Sequence, residues 1–320
     1  MAVQNSLQKA KSNQRLGLTA YLTKDAVKDQ INKVVGGKDG QRFISAIISA
    51  TNTNPALQEC TNQSILCSAL LGESLKLSPS PQLGQYYLVP YEDKNEGKVA
   101  QFQMGYKGYI QLAIRSGQYK KLNVLAIKEG ELVRFDPLNE EIEVKLIDDE
   151  EVREQSKTIG YYAMFEYVNG FKKAIYWSKN KMLSHADKYS PAFSKDGGTV
   201  KTKYGEKTKV SFADFEAGNY DKKDAWMYSS FWYKDFDQMA FKTMLRQLIS
   251  KWGIMSIEMS TALDADYAVI HEDGTKNYVE TESNIIDVEA EPETVVENAE
   301  SSANETTDAK SALFGNGGEN

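Results

Sequence analysis

Apolar residues recur every three to four positions near the amino end of the chain and every second position through its middle. Ala26, Ile31 and Val34 keep helical spacing up to a Gly36-Gly37 stop. Phe43, Ile44, Ile47 and Ile48 form an apolar stripe that predicts a second helix over residues 43–50, and a third is predicted over 61–71, ending at Gly72. The period then falls to two. Runs at 86–90 and 99–104, rich in aromatic and β-branched residues, flank a polar turn and predict a hairpin. Its second strand passes through Gly105-Tyr106-Lys107-Gly108 into an apolar-periodic helix over 109–116, stopped by Gly117. Further strands are predicted over 124–127, 131–135 and 142–147, and those over 160–167 and 171–177 flank Asn169-Gly170, a strong hairpin signal. Helices over 178–189 and 224–252 follow, the second broken near Ser229-Ser230. The pattern predicts an α+β fold: a mainly antiparallel β-sheet core with packed helices and an N-terminal helical arm.

Composition divides the chain into three parts. Residues 1–57 read as a polar, mobile arm followed by helices that make oligomer contacts, residues 58–263 as the core, and residues 264–320 as a tail. Hydrophobic positions thin out in that last part while Glu, Asp, Asn, Thr and Ser dominate. Such a composition cannot offset the entropy of ordering, so the tail is expected to be acidic and largely disordered. The net charge of −7 hides a strong asymmetry. Residues 264–320 hold 15 Asp+Glu against 2 Lys, which leaves 36 Lys+Arg against 30 Asp+Glu in the rest. A basic body suits a polyanionic partner that the average charge would exclude.

Other classes find little support in the sequence. Cys60 and Cys67 stand two helical turns apart, too far for an unstrained disulfide, and no Cys/His ligand spacing occurs. No metal or other cofactor is expected, and a reducing cytoplasm is the natural compartment. The sequence has no apolar run of about 18 residues, so no membrane span is expected. It has no G-x-x-x-x-G-K-[ST], G-x-S-x-G or H-E-x-x-H, hence no nucleotide site or hydrolytic centre. Asp148-Asp149-Glu150-Glu151 reads as a solvated turn rather than a metal cluster.

Four groups of residues carry chemistry suited to single-stranded nucleic acid, which needs cations for phosphate and flat rings for bases. Tyr106, Lys107 and Tyr109 surround a helix start whose free N–H groups suit a phosphate, although the same pattern describes a strand–helix corner with core tyrosines. Lys201, Lys203, Lys207 and Lys209 lie on a predicted hairpin about residues 204–206, where alternation and pairing are expected to gather them on one face. Lys242 and Arg246 share a face of the last long helix. Arg115, Lys120 and Lys121 form the fourth group, with Lys179-Asn180-Lys181 and Lys188 as a weaker basic cluster beside it.

The runs YLVPY and AQFQMGYKGYIQLAIRSGQ, at 87–91 and 100–118, resemble the core signature of the RecT family of phage single-strand annealing proteins. Leu70-Leu71-Gly72 with Leu77-Ser78-Pro79-Ser80-Pro81 resembles the family's lead-in, and residues 236–246 resemble its F-x-x-M-A-x-K-T-x-x-R helix. The motifs stand in the family's order across residues 58–260, with Ser229-Ser230-Phe231-Trp232 where the family often has Ser-Pro-Trp. The resemblance implies ATP-independent binding of single-stranded DNA and annealing of complementary strands by a ring or helical filament of subunits. It further implies a phage or prophage setting in a bacterial cytoplasm, with an exonuclease and a host single-strand-binding protein as partners. Magnesium would act only through the DNA. Phe43, Ile44, Ile47 and Ile48 are the expected oligomer contacts, with burial in the chain's own core as the competing reading. A metal-dependent nuclease acting on DNA ends is the alternative function.

Overall fold

The apolar stripes of the first helices fold them onto one another. A computed structural model of the chain describes residues 17–36, 39–93, 96–202 and 205–278. In it α1 (Leu18–Leu22), α2 (Asp25–Val35) and α3 (Gly40–Thr53) bury Leu22, Val27, Ile31, Phe43, Ile44 and Ile47 in one continuous core. A 3-10 turn, Pro55–Glu59, leads to α4 (Asn62–Ser74), which Thr61 caps by accepting from the Ser64 N–H. α4 is buried nearly all round, so its polar residues need partners inside. Ser64 accepts from the Ala100 N–H at 2.8 Å and Ser68 donates to the Ala100 carbonyl at 3.1 Å, which fastens the helix to the neighbouring strand.

That strand belongs to the predicted hairpin, β1 (Tyr86–Asp93) and β2 (Gly97–Met104), which pair antiparallel from Tyr86↔Met104 to Asp93↔Gly97. α5 (Tyr106–Arg115) follows, and Gly117 at φ 69° turns the chain out of it. β3 (Tyr119–Lys128), β6 (Thr158–Tyr167) and β7 (Lys172–Ser178) make a second antiparallel sheet, with Gly170 at φ 90° in the β6–β7 turn. Between them β4 (Leu132–Asp136) and β5 (Glu141–Val144) form a separate ribbon, and α6 (Glu150–Gln155) starts on the Asp149 cap. The acidic run expected as a solvated turn is therefore the start of a short helix. Glu131, fully buried, closes this region by accepting from the Lys128 and Ile147 N–H groups and from Arg153 at 2.6 Å.

α7 (Lys179–Tyr189) precedes the ribbon β8 (Gly198–Thr202) and β9 (Gly205–Lys209), then α8 (Phe212–Glu216). The long helix expected over 224–252 is three pieces: a 3-10 helix Lys222–Tyr228, α9 (Phe231–Lys234) and α10 (Phe236–Trp252). Ser230 and Asp235 cap the second and third pieces with their side chains, so the breaks are built into the sequence. α10 lies against α5 and the β3–β6–β7 sheet and buries Ala240, Met244, Leu245, Leu248 and Ile249 between them.

The expected tail boundary at 264 does not hold. α11 (Ile257–Ala265) continues into β10 (Ala268–Ile270), which pairs with β2, and β11 (Lys276–Tyr278) completes a sheet of order β1-β2-β10-β11. Ala268, Val269 and Ile270 are all buried. The acidic count hid a short apolar strand whose partner lies 166 residues earlier, at Phe102. The disorder expected of the remaining tail, 279–320, lies outside the described residues, as do residues 1–16 of the mobile arm expected over 1–20, whose last residues instead enter α1 at Leu18.

Candidate nucleic-acid interface

A strand that is apolar on both faces must be covered twice or must line a cleft. On β1, Tyr86 and Leu88 point into the core, while Tyr87, Val89 and Tyr91 alternate onto the other face. Opposite them in register, Gln103 and Gln101 of β2 share that face. These residues floor a cleft of about 670 Å³, within the roughly 300–1,000 Å³ typical of ligand sites. One wall comprises the end of α3 and the Pro79 and Pro81 loop; the other is the segment Ser229 to Trp232 with Pro191 and Lys234. Phe231, 44% exposed, leans over the floor with its ring centroid 5.9 Å from that of Tyr87. Lys234 extends beside the Phe231 ring at 5.8 Å. Burial, then the nearby Asp235 and Tyr106, push the Tyr87 phenol above its ordinary pKa, so it stays neutral. Aromatic faces, amides and a rim cation thus meet along one concave surface.

Two of the sequence segments that carried the family resemblance, the Pro79-Ser80-Pro81 lead-in and the YLVPY strand, line this cleft, together with Ser229-Ser230-Phe231-Trp232, where the chain departs from the family's Ser-Pro-Trp. They are more than 130 residues apart at the extremes, and a shared surface is not required of them by packing alone. Tyr87, Tyr91, Gln101, Gln103, Phe231 and Lys234 are the residues that the charge-led sequence reading missed. The signal available was the double-sided apolar alternation of 86–91.

The structure redistributes the residues predicted from sequence. Of Gly105-Tyr106-Lys107-Gly108, both glycines serve close approach: a Cβ at either would lie 2.1 Å from the carbonyl oxygen of Gly84 or Gln85. The Gly105 N–H donates to the Gln85 carbonyl at 2.9 Å, so both glycines serve the close packing of this corner on the 84–85 backbone. Tyr109 is fully buried and cannot stack on a base; Tyr106 is half-buried edge-on against Phe241. Lys107 alone of this group is exposed, with its stem over Gly84.

Lys242 and Arg246 are likewise turned inward. Asp266, with no exposed surface, accepts from Lys242 at 3.0 Å, Arg246 at 2.8 Å, Tyr109 at 3.0 Å and the Met104 N–H at 2.8 Å. The family-like helix therefore uses its cations to hold α10, α5, β2 and β10 together, and direct phosphate contact by Lys242 is ruled out in this arrangement by its burial. Burial opposes the charge on Arg246, but Tyr109 and Asp266 outweigh it and keep the guanidinium protonated. Burial, then the Asp266 charge, holds the Tyr109 phenol far above its ordinary pKa.

The hairpin lysines do not share one face. Lys201 pairs with Glu206 and Val200 with Lys207, so strand alternation sets the Lys201 position opposite to that of Lys207 and Lys209. Lys203 lies outside the described residues. Lys207 is paired with Asp224. Lys209 is buried, donates to the Ala192 carbonyl at 2.8 Å, and has its pKa lowered by burial. Arg115 donates to the Leu75 and Lys76 carbonyls, which closes the end of α4. Lys120 and Lys121, with Lys172, surround the single carboxylate of Glu166 at 2.7, 3.6 and 3.7 Å, leaving an exposed surface with excess positive charge.

The stripe expected to meet a neighbouring subunit is core. Phe43, Ile44 and Ile47 are 3%, 6% and 0% exposed within their own chain, and Ile48 is half-buried beside Ser45, Ser49 and Asn52. The helix packs on α2 and α4, so Phe43, Ile44 and Ile47 are not available to a partner, and only Ile48 keeps some exposed surface.

Residues 41–283 match the RecT family. The chain belongs to the RecT family. It is 36% identical over 314 residues to the uncharacterized protein YqaK of Bacillus subtilis (strain 168), covering 95% of this chain and 92% of that one. It is also 26% identical over 254 residues to Protein RecT of Escherichia coli (strain K12), covering 77% of this chain and 79% of that one. The matched region begins at the second residue of α3 and extends beyond β11, so nearly all of α3 and the β10–β11 extension fall within it. Membership supports a single-strand annealing role in DNA recombination. Among the described residues no helix is long and apolar enough to cross a membrane.

Proposed function

We propose that this RecT-family protein binds single-stranded DNA along the β1–β2 cleft and anneals it to a complementary strand, without ATP, without a metal cofactor and without a catalytic step. The meeting of two motif segments with the aromatic segment 229–232 on that cleft carries this reading. Tyr87, Tyr91 and Phe231 offer ring faces to bases, which is a sequence-tolerant contact. Gln103, half-buried, can offer its side-chain oxygen to a base edge, while buried Gln101 holds it in place by accepting from its amide at 2.8 Å. Lys107 and Lys234 meet phosphate, and the Lys120–Lys121–Lys172 surface gives further charge against which a second backbone can lie. Neutralising two backbones lowers the repulsion that slows pairing, while contacts to phosphate leave complementarity to the bases themselves.

A single subunit contacts few nucleotides, so the proposal includes an oligomer that coats the strand and gains avidity from neighbouring copies. Its substrate would come from an exonuclease that exposes single strands in the bacterial cytoplasm, where a host single-strand-binding protein competes for the same DNA. The test is annealing of two complementary oligonucleotides, followed by strand length and duplex yield, at several salt concentrations, with and without ATP and magnesium. Duplex formation that does not need ATP, weakens with salt and leaves strand length unchanged is expected. Strand shortening in magnesium, or no effect on pairing, overturns it.

A further inference from the structure

Tyr267 stands immediately after the buried Asp266 and has a left-handed backbone, φ 68°. Bulky side chains rarely adopt that region, and a turn with no other duty would favour glycine or asparagine there. The strain is held from every side. The Tyr267 N–H donates to the Phe102 carbonyl at 2.9 Å, its carbonyl accepts from the Gln101 amide, and Asp266 is fixed by four donors. The ring has a defined place as well. The Lys242 ammonium sits 3.7 Å from its centroid, while Tyr267, half-buried, is among the residues that line the cleft and Lys242 is not. A residue of the cleft lining thus carries an aromatic ring that a buried cation holds in place.

We propose that Tyr267 is a base-stacking residue, taking a nucleobase of the bound single strand, with Lys242 as the positioning residue behind it. The proposal rests on the single-strand reading of the cleft and adds to it a specific contact outside the sequence motifs. A ring already fixed by a strained backbone and a cation–π contact loses little freedom when a base stacks on it. The contact is made with the base and not with phosphate, so it adds affinity without adding salt dependence.

The experiment compares ordinary and abasic oligonucleotides of equal length on the full chain, with Tyr267→Asn and Tyr267→Phe beside the unaltered protein. Asparagine suits the backbone and removes the ring. Tyr267→Asn is expected to weaken binding of base-bearing strands by about tenfold or more, to leave binding of abasic strands and the salt slope unchanged, and to melt near the parent temperature. Tyr267→Phe should bind base-bearing strands as the parent does. Equal binding of base-bearing strands by parent and Tyr267→Asn overturns the proposal, as does an equal loss on abasic strands, which would mark a deformed cleft. Independently of any variant, strands carrying 5-iododeoxyuridine should photocrosslink to Tyr267 in the intact protein. Crosslinks at Tyr87 or Phe231 with none at Tyr267 would refute this contact while sustaining the single-strand reading. Failure of the unaltered chain to bind any single strand would remove both.

Discussion

The Lys242 ammonium lies 3.0 Å from the Asp266 carboxylate, with 5% and 0% of the two side chains exposed. The same carboxylate takes Arg246, so one buried anion holds two buried or half-buried cations. Removing it would strand both. Asp266→Ala is expected to destabilise the fold by about 3–5 kcal/mol, read as a fall in the denaturant midpoint. Lys242→Met, which removes a cation and leaves Arg246 to satisfy the carboxylate, should cost clearly less. A milder loss for Asp266→Ala than for Lys242→Met would show that the network is not organised around Asp266.

Glu131 gives a pH dependence with a definite sign. Burial alone would raise its pKa, but the hydrogen bonds from Arg153, from the Lys128 and Ile147 N–H groups, and the Arg153 charge hold it below the ordinary value. A carboxyl depressed in the folded state stabilises the fold above its unfolded pKa and loses that contribution as pH falls through the folded one. The melting temperature should therefore drop more steeply below the ordinary Glu range for the parent than for Glu131→Gln, which is less stable at neutral pH. Parallel pH profiles for the two proteins would remove Glu131 as a contributor.

The cleft contacts separate base from backbone. Phe231 is exposed and ends no packing chain on its free side, so Phe231→Ala should leave the melting temperature nearly unchanged. Single-strand binding should weaken by about 1–3 kcal/mol per lost stacked base. Lys107→Gln with Lys234→Gln should instead flatten the dependence of log affinity on log salt by about 0.7 per lost contact. An unchanged slope would place the phosphates elsewhere, with Lys120, Lys121 and Lys172 the next surface to neutralise.

Much of the fold was legible in the sequence because its elements are locally specified. The β1–β2 and β6–β7 hairpins, α5 with its Gly117 stop and α7 all follow from alternation, helical spacing and turn residues. The site was less legible because charge is ambiguous along a chain. Lys242 and Arg246 look like a solvated face until Asp266, 20 and more residues later, is placed beneath them. Lys201 and Lys207 look convergent until the ladder register fixes which residue opposes which. β10 escaped notice for a similar reason: three apolar residues mean little until a distant strand offers them an edge.

Chain ends test that last point. A chain stopped after residue 263 loses Asp266 and the buried β10, so it should fail to fold, judged by circular dichroism and a cooperative melt. Stopping after Ser283 keeps every described residue and removes 9 of the 15 Asp and Glu residues found over 264–320. That protein should melt like the parent and bind single strands as tightly or slightly more tightly. A clearly lower melting temperature for it would assign residues 284–320 a part in the fold.

Ile47 separates burial from assembly. Its side chain is fully enclosed by its own subunit, among Leu22, Ile31, Phe43 and the α4 residues that share the core. A carboxylate there has no partner and no water, and a lone buried charge is tolerated only by shifting its pKa or by unfolding its surroundings. Ile47→Asp should therefore lose secondary structure and aggregate, instead of yielding a folded monomer. Ile47→Val removes one methylene and should cost about 0.5–1.5 kcal/mol while leaving assembly intact. The exposed neighbour Ser49 supplies the contrast: Ser49→Asp places the same charge in water on the outer face of α3 and should melt like the parent. Light scattering with circular dichroism on the three variants decides the matter. A folded, monomeric Ile47→Asp would return this helix to a subunit interface, and dissociation of Ser49→Asp alone would put that interface on its outer face.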